Sequence, residues 1–352
     1  MGAYFRGLQG DGRFVRFTEL NYRARRGLRM PKVLRGLERQ ILAPIRNGRI
    51  LEDISGRPWV LGGQQFVSHF SPQKLETAIV VAFDMIDILC PDTDQTPGGI
   101  QAVWKSMRNI REARTVVTIS EYSRQRILGL YPMEPSRVCV IPFGVDSNRF
   151  RPASEEAKEA SRKAFGLSDS SFVVLYVGSE QRRKNLGTLI AGLAKYHKKE
   201  PDLVFVKAGV AQSNVGRRRF YSDLKANHME QATILMDDVS DDQIAQLYGA
   251  ADVLAFPSVE EGWGVPVLEA MASGLPVISS RIGPVVEFAG GSVLYVDDPF
   301  SPGDWSSAFG RIAADRSLRE CLGNAGRDRA LALTWDRARE LFTAKMTLMG
   351  AE

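Results

Sequence analysis

The stretch Asp252-Val253-Leu254-Ala255-Phe256-Pro257-Ser258-Val259-Glu260-Glu261-Gly262-Trp263-Gly264-Val265-Pro266-Val267-Leu268-Glu269-Ala270-Met271-Ala272 decides the reading of the fold. Its first five residues form a short apolar run stopped by Pro257, as expected for a strand buried on both faces. Two glycines follow, and then a helical run from Val265 to Ala272. Pro266 fits the first turn of that helix, where its missing N–H goes unnoticed. Open α/β sheets bind ligands at the carboxyl ends of their strands, where this loop lies. Gly262 and Gly264 let a ligand approach the backbone closely. The unused N–H groups from Gly264 to Val267 then suit an anion such as phosphate. Glu261 precedes the helix and Glu269 lies inside it, so the two carboxylates grip separate hydroxyl-bearing parts of a ligand, with its phosphates between.

Working outward, the same alternation continues in both directions. Phe172–Val177, Leu203–Val206, Thr233–Met236, Asp252–Phe256, Pro276–Ser279 and Val293–Val296 read as buried strands, with a helix from Asn185 to about His197. Strands alternating with helices imply a parallel, doubly wound sheet. Before it, Ala78–Phe83, Thr115–Ile119 and Val138–Ile141 suggest a second α/β domain. Arg151 to about Ser171 reads as a polar connector, and a helix from about Ala338 to Met349 is expected to return to the first domain. The expected division is 1–150, 151–333 and 334–352, with a ligand cleft between two Rossmann-like domains. Arg182-Arg183-Lys184-Asn185 follows Gly178 and the first strand of the second domain, with Asn185 placed as a helix N-cap. Three cations at a helix start oppose the macrodipole unless an anion binds there.

The chain has 352 residues, 44% hydrophobic and 25% charged, which is the composition of a soluble globular protein and excludes collagen, coiled coil and disorder. Cys90, Cys139 and Cys321 show neither metal-ligand nor CxxC spacing, so neither a disulfide framework nor a metal site is expected, and a reducing compartment is. No apolar run reaches the roughly 18 residues of a membrane span, and the start lacks a signal-peptide core, so the cytosol or the cytosolic face of a membrane is expected. Of the 46 Lys and Arg, 13 fall in residues 1–60 against 5 Asp and Glu, leaving the remainder slightly acidic. Arg23, Arg25, Arg26, Arg29, Lys32, Arg35 and Arg39 flank an apolar stripe of Leu34, Leu37, Ile41 and Ile45. This reads as a surface helix packed on its domain, or as a face held against anionic lipid or an anionic acceptor. Interleaved aromatics that could stack bases are missing, which argues against nucleic acid.

The Glu-x7-Glu frame from Glu261 to Glu269, with Pro257-Ser258 before it and Ser279-Ser280 after it, resembles the retaining glycosyltransferases of family 4. Thr118-Ile119-Ser120-Glu121-Tyr122-Ser123, Ile141-Pro142-Phe143-Gly144-Val145-Asp146 with Phe150, and Tyr176-Val177-Gly178 with Arg183-Lys184-Asn185 are similar to other segments of that family. The resemblance covers about residues 75–345. It implies a GT-B fold, with the acceptor on the first domain and a nucleoside-diphosphate sugar on the second. It implies that Arg183 and Lys184 neutralise the donor diphosphate, Glu261 contacts the transferred sugar and Glu269 holds the ribose hydroxyls. Backbone N–H groups of Gly264, Val265 and Val267 around Pro266 would complete the cradle, with no cofactor or bound metal. The implied reaction moves a hexose-type sugar to an acceptor hydroxyl on a glycan or lipid-linked glycan, with retention.

Two positions depart from the family pattern. Ser179 stands where an arginine often follows the strand glycine, and Phe83 precedes Asp84 where a histidine is common. The second departure alters the acceptor side and keeps a non-catalytic nucleotide-sugar-binding protein as the rival, beside a phosphorylase on the same fold. His69 is the neighbouring histidine. Gly10-Asp11-Gly12-Arg13-Phe14 reads either as the opening glycine loop of the first domain or as an ordinary turn. Asp92-Thr93-Asp94 lies among Pro91, Pro97 and Gly99 and reads as a solvated loop.

Overall fold

The computed structural model describes residues 59–62, 67, 70–90, 104 and 107–348. The Gly10 to Phe14 segment, the basic helix, His69 and Asp92 to Asp94 lie outside the described residues. Among the described residues ten strands form two parallel sheets. The first holds β1 (Trp59–Gly62), β2 (Ala78–Val81), β3 (Thr115–Thr118) and β4 (Val138–Val140) in sequential order. The second holds β5 (Phe172–Val177), β6 (Leu203–Ala208), β7 (Thr233–Met236), β8 (Val253–Phe256), β9 (Val277–Ser280) and β10 (Leu294–Val296). Their spatial order is β10-β9-β8-β5-β6-β7. From β5 the chain winds outward through β6 and β7, then returns to start the other half at β8. The β5–β8 boundary is therefore the switch point, where loops at the carboxyl ends diverge and leave a crevice.

The continuous apolar runs become strands because helices cover both faces of the sheet. Successive side chains point to opposite faces. Val173 and Leu175 of β5 join Leu254 and Phe256 of β8 in one buried cluster, with Val267, Leu268 and Met271 of the helix Val265–Ala272. Val174 and Tyr176 join Val253 and Ala255 in the cluster beneath the helices Leu186–His197 and Pro302–Ala314. Strand bounds depart from the sequence reading by a residue or two; the apolar run at Ala78 stops pairing at Val81, before Phe83. β1, outermost among the described strands of its sheet, has no counterpart in that reading, since four residues ending in glycine carry little periodicity.

The connector after Arg151 is more than a linker. It forms a helix, Glu155–Ala164, capped by Ser154, whose side chain accepts the Ala157 N–H. Arg162 on this helix is buried, bonding the Ala250 carbonyl and, at 2.7 Å, the Asp252 carboxylate. The connector is thereby fixed to the base of β8. The chain crosses between the sheets at 141–150 and again at 333–335. The two crossings touch: the Val145 N–H donates to the Leu333 carbonyl at 2.8 Å, and a side chain at Gly144 would collide with the Thr334 backbone. The final helix, Trp335–Leu348, packs Ala338 and Phe342 against Ile79, Val81, Val117 and Ile141 of the first sheet.

Candidate functional site

The loops after β5 and β8 meet because the two strands pair. The Val259 N–H donates to the Arg183 carbonyl at 2.8 Å, tying one loop to the other. Arg182–Lys184 make a single 3-10 turn rather than the first turn of a helix. Asn185 then takes a left-handed conformation (φ 51°) before the helix Leu186–His197. Its side chain does not cap that helix; it donates to the Pro299 carbonyl and accepts from the Thr188 hydroxyl. This corrects the capping role expected for Asn185. The tight turn swings the cations away from the macrodipole and toward the neighbouring loop.

There they meet Glu261. Lys184 Nζ lies 2.5 Å from Glu261 Oε1, and Arg183 Nη1 lies 2.8 Å from Oε2. Arg183 Nη1 also donates to the Glu260 carbonyl at 3.0 Å. Lys184 and Glu261 are both buried. Burial alone would raise the Glu261 carboxyl, but Lys184 and Arg183 outweigh it and hold the group below its ordinary range. Burial pulls the Lys184 ammonium down, with Glu261 opposing and Arg183 reinforcing the shift. One carboxylate is shared by the buried Lys184 and the half-buried Arg183, two cations to one anion, an excess of positive charge that suits an anionic ligand. Arg182 is exposed and takes no part.

Gly264 begins the helix Val265–Ala272 with φ 113°, a conformation that side chains resist. Pro266 lies in the first turn and has no N–H to offer. Val267 is corrected as an anion donor, because its N–H bonds the Gly264 carbonyl at 3.0 Å. Among the described residues the Gly264 and Val265 N–H groups have no acceptor and remain for a ligand. Gly178 ends β5 with its own N–H spent on the Ala208 carbonyl, so it shapes the loop rather than binding through that group.

Glu269 lies a little over one turn inside the helix Val265–Ala272, in a different environment from Glu261. The Tyr248 hydroxyl donates to its Oε2 at 2.9 Å. Burial pushes its carboxyl up to about 7, opposed by the Tyr248 hydrogen bond, raised by Asp241 and lowered by Arg149. The two glutamates thus face opposite tasks: one is fixed as an anion, and the other is poised to change charge near neutrality.

Several groups at the site were not read from the sequence. Lys207 interrupts the apolar run of β6, and that interruption was a legible signal. It is fully buried with Nζ 2.9 Å from Glu180 Oε1. Arg217 bridges Glu180 at 2.8 Å and Asp237 at 2.5 Å, so one ionic network pins the carboxyl ends of β5, β6 and β7. The first domain contributes a clamp. Ser120, the N-cap of the helix Glu121–Leu130, donates its hydroxyl to the Gly262 carbonyl at 2.9 Å. The N–H groups of Glu121 and Tyr122 donate to the Glu287 carboxylate at 2.8 and 3.2 Å. The Tyr122 hydroxyl donates to Glu260 at 2.8 Å and accepts from Arg126 at 2.7 Å. Asp84 reaches the same loop: a side chain at Gly262 would begin 2.7 Å from Asp84 Oδ2. Among the described residues no group of three metal-ligating side chains occurs, and no helix is long and apolar enough to cross a membrane.

Residues 157–329, just under half of the chain, match the family model described as glycosyl transferases group 1. A D-inositol 3-phosphate glycosyltransferase of Corynebacterium kroppenstedtii is 29% identical over 232 residues, covering 64% of this chain and 51% of that protein. The chain spans about half the length of the curated relatives it matches. Among solved structures, a sucrose-phosphate synthase of Thermosynechococcus elongatus superposes with a TM-score of 0.65 at 24% identity, covering 78% of this chain and 68% of that one. Anabaena HepE, solved in complex with UDP-glucose, superposes with a TM-score of 0.65 at 17% identity, covering 81% and 80%. The fold is that of the GT-B glycosyltransferases: two Rossmann-like domains, each on a parallel sheet.

Proposed function

We propose that this chain is a retaining glycosyltransferase that moves a hexose-type sugar from a nucleoside diphosphate to an acceptor hydroxyl, on a glycan or a lipid-linked glycan. The observation that carries the reading is the pairing of Arg183 and Lys184 on Glu261 beside the glycine-started helix. As the bond from the sugar to the diphosphate breaks, negative charge grows on the leaving oxygens. Fixed cations and N–H dipoles already aimed at that place stabilise the transition state without rearranging. Arg183, Lys184 and the N–H groups of Gly264 and Val265 are such a set. In this reading Glu261, held as an anion by these cations, contacts the hydroxyls of the transferred sugar, and Glu269, farther along the helix, holds the ribose. The similarity to glycosyl transferases group 1 across the second domain supports the donor side of this reading.

The relatives named for D-inositol 3-phosphate support a small polyol phosphate as the acceptor, an alternative to the glycan. A basic first domain held against anionic lipid on the cytosolic face of a membrane is the corresponding proposal for location. Phe83 supports the rival reading of a donor-binding protein without transfer: its ring packs on Phe143 at 5.1 Å and offers no proton acceptor.

A thermal-shift panel of UDP, GDP, ADP and CMP separates these at the first step. A ligand that binds only the native state raises the unfolding midpoint by mass action. One diphosphate is expected to raise it, CMP less, and Lys184→Ala is expected to abolish the shift. No shift with any of the four would remove the donor site and both readings with it. A shift without release of nucleoside diphosphate from any sugar donor would leave only the binding protein.

A further inference from the structure

Tyr248 lies on the helix Asp241–Ala250, which joins β7 to β8. Its ring is buried in the core beneath the helix Val265–Ala272 and meets Phe150 edge-on, with 5.8 Å between ring centres. Phe150 ends the first crossing between the sheets, so the ring is packed by both its own domain and the crossing segment. A hydroxyl carried into such a core is favourable chiefly where it finds a partner. Here it donates to Glu269 Oε2 at 2.9 Å.

Glu269 is partly exposed, so a ligand can reach it. Among the described residues no hydrogen bond is made to its Oε1. Tyr248 therefore holds one oxygen of the carboxylate and leaves the other for a ligand. Glutamate is a flexible side chain, and tying it to a packed ring removes that freedom before the ligand arrives. The charges that face this carboxyl are Asp241, from the start of the helix that carries Tyr248, and Arg149 from the crossing. Arg149 is itself committed to that helix start, 3.1 Å from Asp241 and 3.6 Å from Asp242. Burial raises the Glu269 carboxyl to about 7, and the Tyr248 hydrogen bond is the strongest effect opposing that rise.

We propose that Tyr248 is a positioning residue of the donor site, whose hydroxyl aims the Glu269 carboxylate at the ribose hydroxyls. The inference rests on the reading of Glu269 as the ribose contact. Because a phenol donates its proton to a carboxylate, the same bond favours the charged form, the one that accepts two hydroxyl donors best. The alternative makes Tyr248 a core ring whose hydroxyl does nothing for the ligand.

Tyr248→Phe separates the two, because phenylalanine keeps the ring and removes only the oxygen. UDP, GDP and ADP are titrated by calorimetry between roughly pH 6 and pH 9 into the wild type, Tyr248→Phe, Glu269→Gln and the double variant. A hydrogen bond to a charged group is worth about tenfold or more. The diphosphate that binds the wild type is expected to bind Tyr248→Phe about tenfold more weakly near neutral pH. Affinity is expected to recover to within about threefold by roughly pH 9, where Glu269 ionises without help. In the Glu269→Gln background the same change is expected to have no pH-dependent effect. A purely structural role would lower affinity by one factor at every pH. Affinity of Tyr248→Phe within about twofold of wild type throughout, a loss that does not recover, or a pH-dependent loss that persists beside Glu269→Gln overturns the inference and leaves the transferase reading standing. Binding of none of the three diphosphates by the wild type overturns the donor site and this inference together.

Discussion

Glu269 shows how one side chain ties burial to ligand chemistry. Its carboxyl titrates near 7 because burial favours the neutral form more than Tyr248 and Arg149 favour the charged one. The native state therefore holds a proton that the unfolded chain has released. That contribution to stability is fully present below the ordinary glutamate pKa and is lost as the pH rises through about 7. Binding should run the other way, since two ribose hydroxyls donate best to a carboxylate. Affinity for the diphosphate that shifts the midpoint is expected to rise about tenfold between roughly pH 6 and pH 8, beyond the change due to the phosphates themselves. Calorimetry at both pH values should show that excess in the wild type and not in Glu269→Gln. Equal slopes in the two proteins would remove Glu269 from the ribose.

At the scale of an element, the loop from Glu260 to Gly264 and the helix it starts are one unit. The helix has only eight residues and no side-chain cap, so its start depends on the left-handed Gly264 and on packing of Val267, Leu268 and Met271. An alanine at Gly264 would meet a backbone conformation that side chains resist, and its Cβ would lie 3.1 Å from Val285 Cγ2. Gly264→Ala is expected to lower stability by about 1–3 kcal/mol and to weaken diphosphate binding as well, because the N–H groups move with the backbone. Chemical denaturation and the nucleotide midpoint shift measure the two separately. A stability loss with unchanged binding would mean that the anion does not sit on this helix start.

Across the whole molecule, the cleft is closed by contacts that also hold the site. The helix-start N–H groups of Glu121 and Tyr122 donate to the Glu287 carboxylate of the opposite domain, and the N-cap Ser120 hydroxyl donates to the Gly262 carbonyl. A carboxylate at a helix N-terminus is worth about 0.3–1 kcal/mol, and an exposed pair about as little, so the clamp is shallow and reversible. Removing two of its parts together, in Tyr122→Phe with Glu287→Ala, is expected to open the cleft. Small-angle scattering should then give a larger radius of gyration for the ligand-free variant than for the wild type, with circular dichroism unchanged. An unchanged radius would assign closure to the double crossing at Val145 and Thr334 instead.

Local chemistry made much of this legible. Apolar runs of strand length, punctuated by glycine and proline, specify a parallel sheet because only strands covered on both faces are apolar throughout. A proline in the first turn after two glycines specifies a helix start at a strand end. Arg183 and Lys184 could be singled out because cations at a helix start oppose its dipole, and Glu261 and Glu269 because they bracket a glycine–proline helix start at a strand end. The sequence could not say that Arg183 and Lys184 close on Glu261, because residues nearly eighty positions apart meet only through the pairing of β5 with β8. Nor could it show that the Val267 N–H is spent inside the helix, or that Asp84, Ser120 and Glu287 reach across the cleft. The last three depend on how two separate sheets face each other. That arrangement is set by the summed packing of many side chains and is written in no single segment.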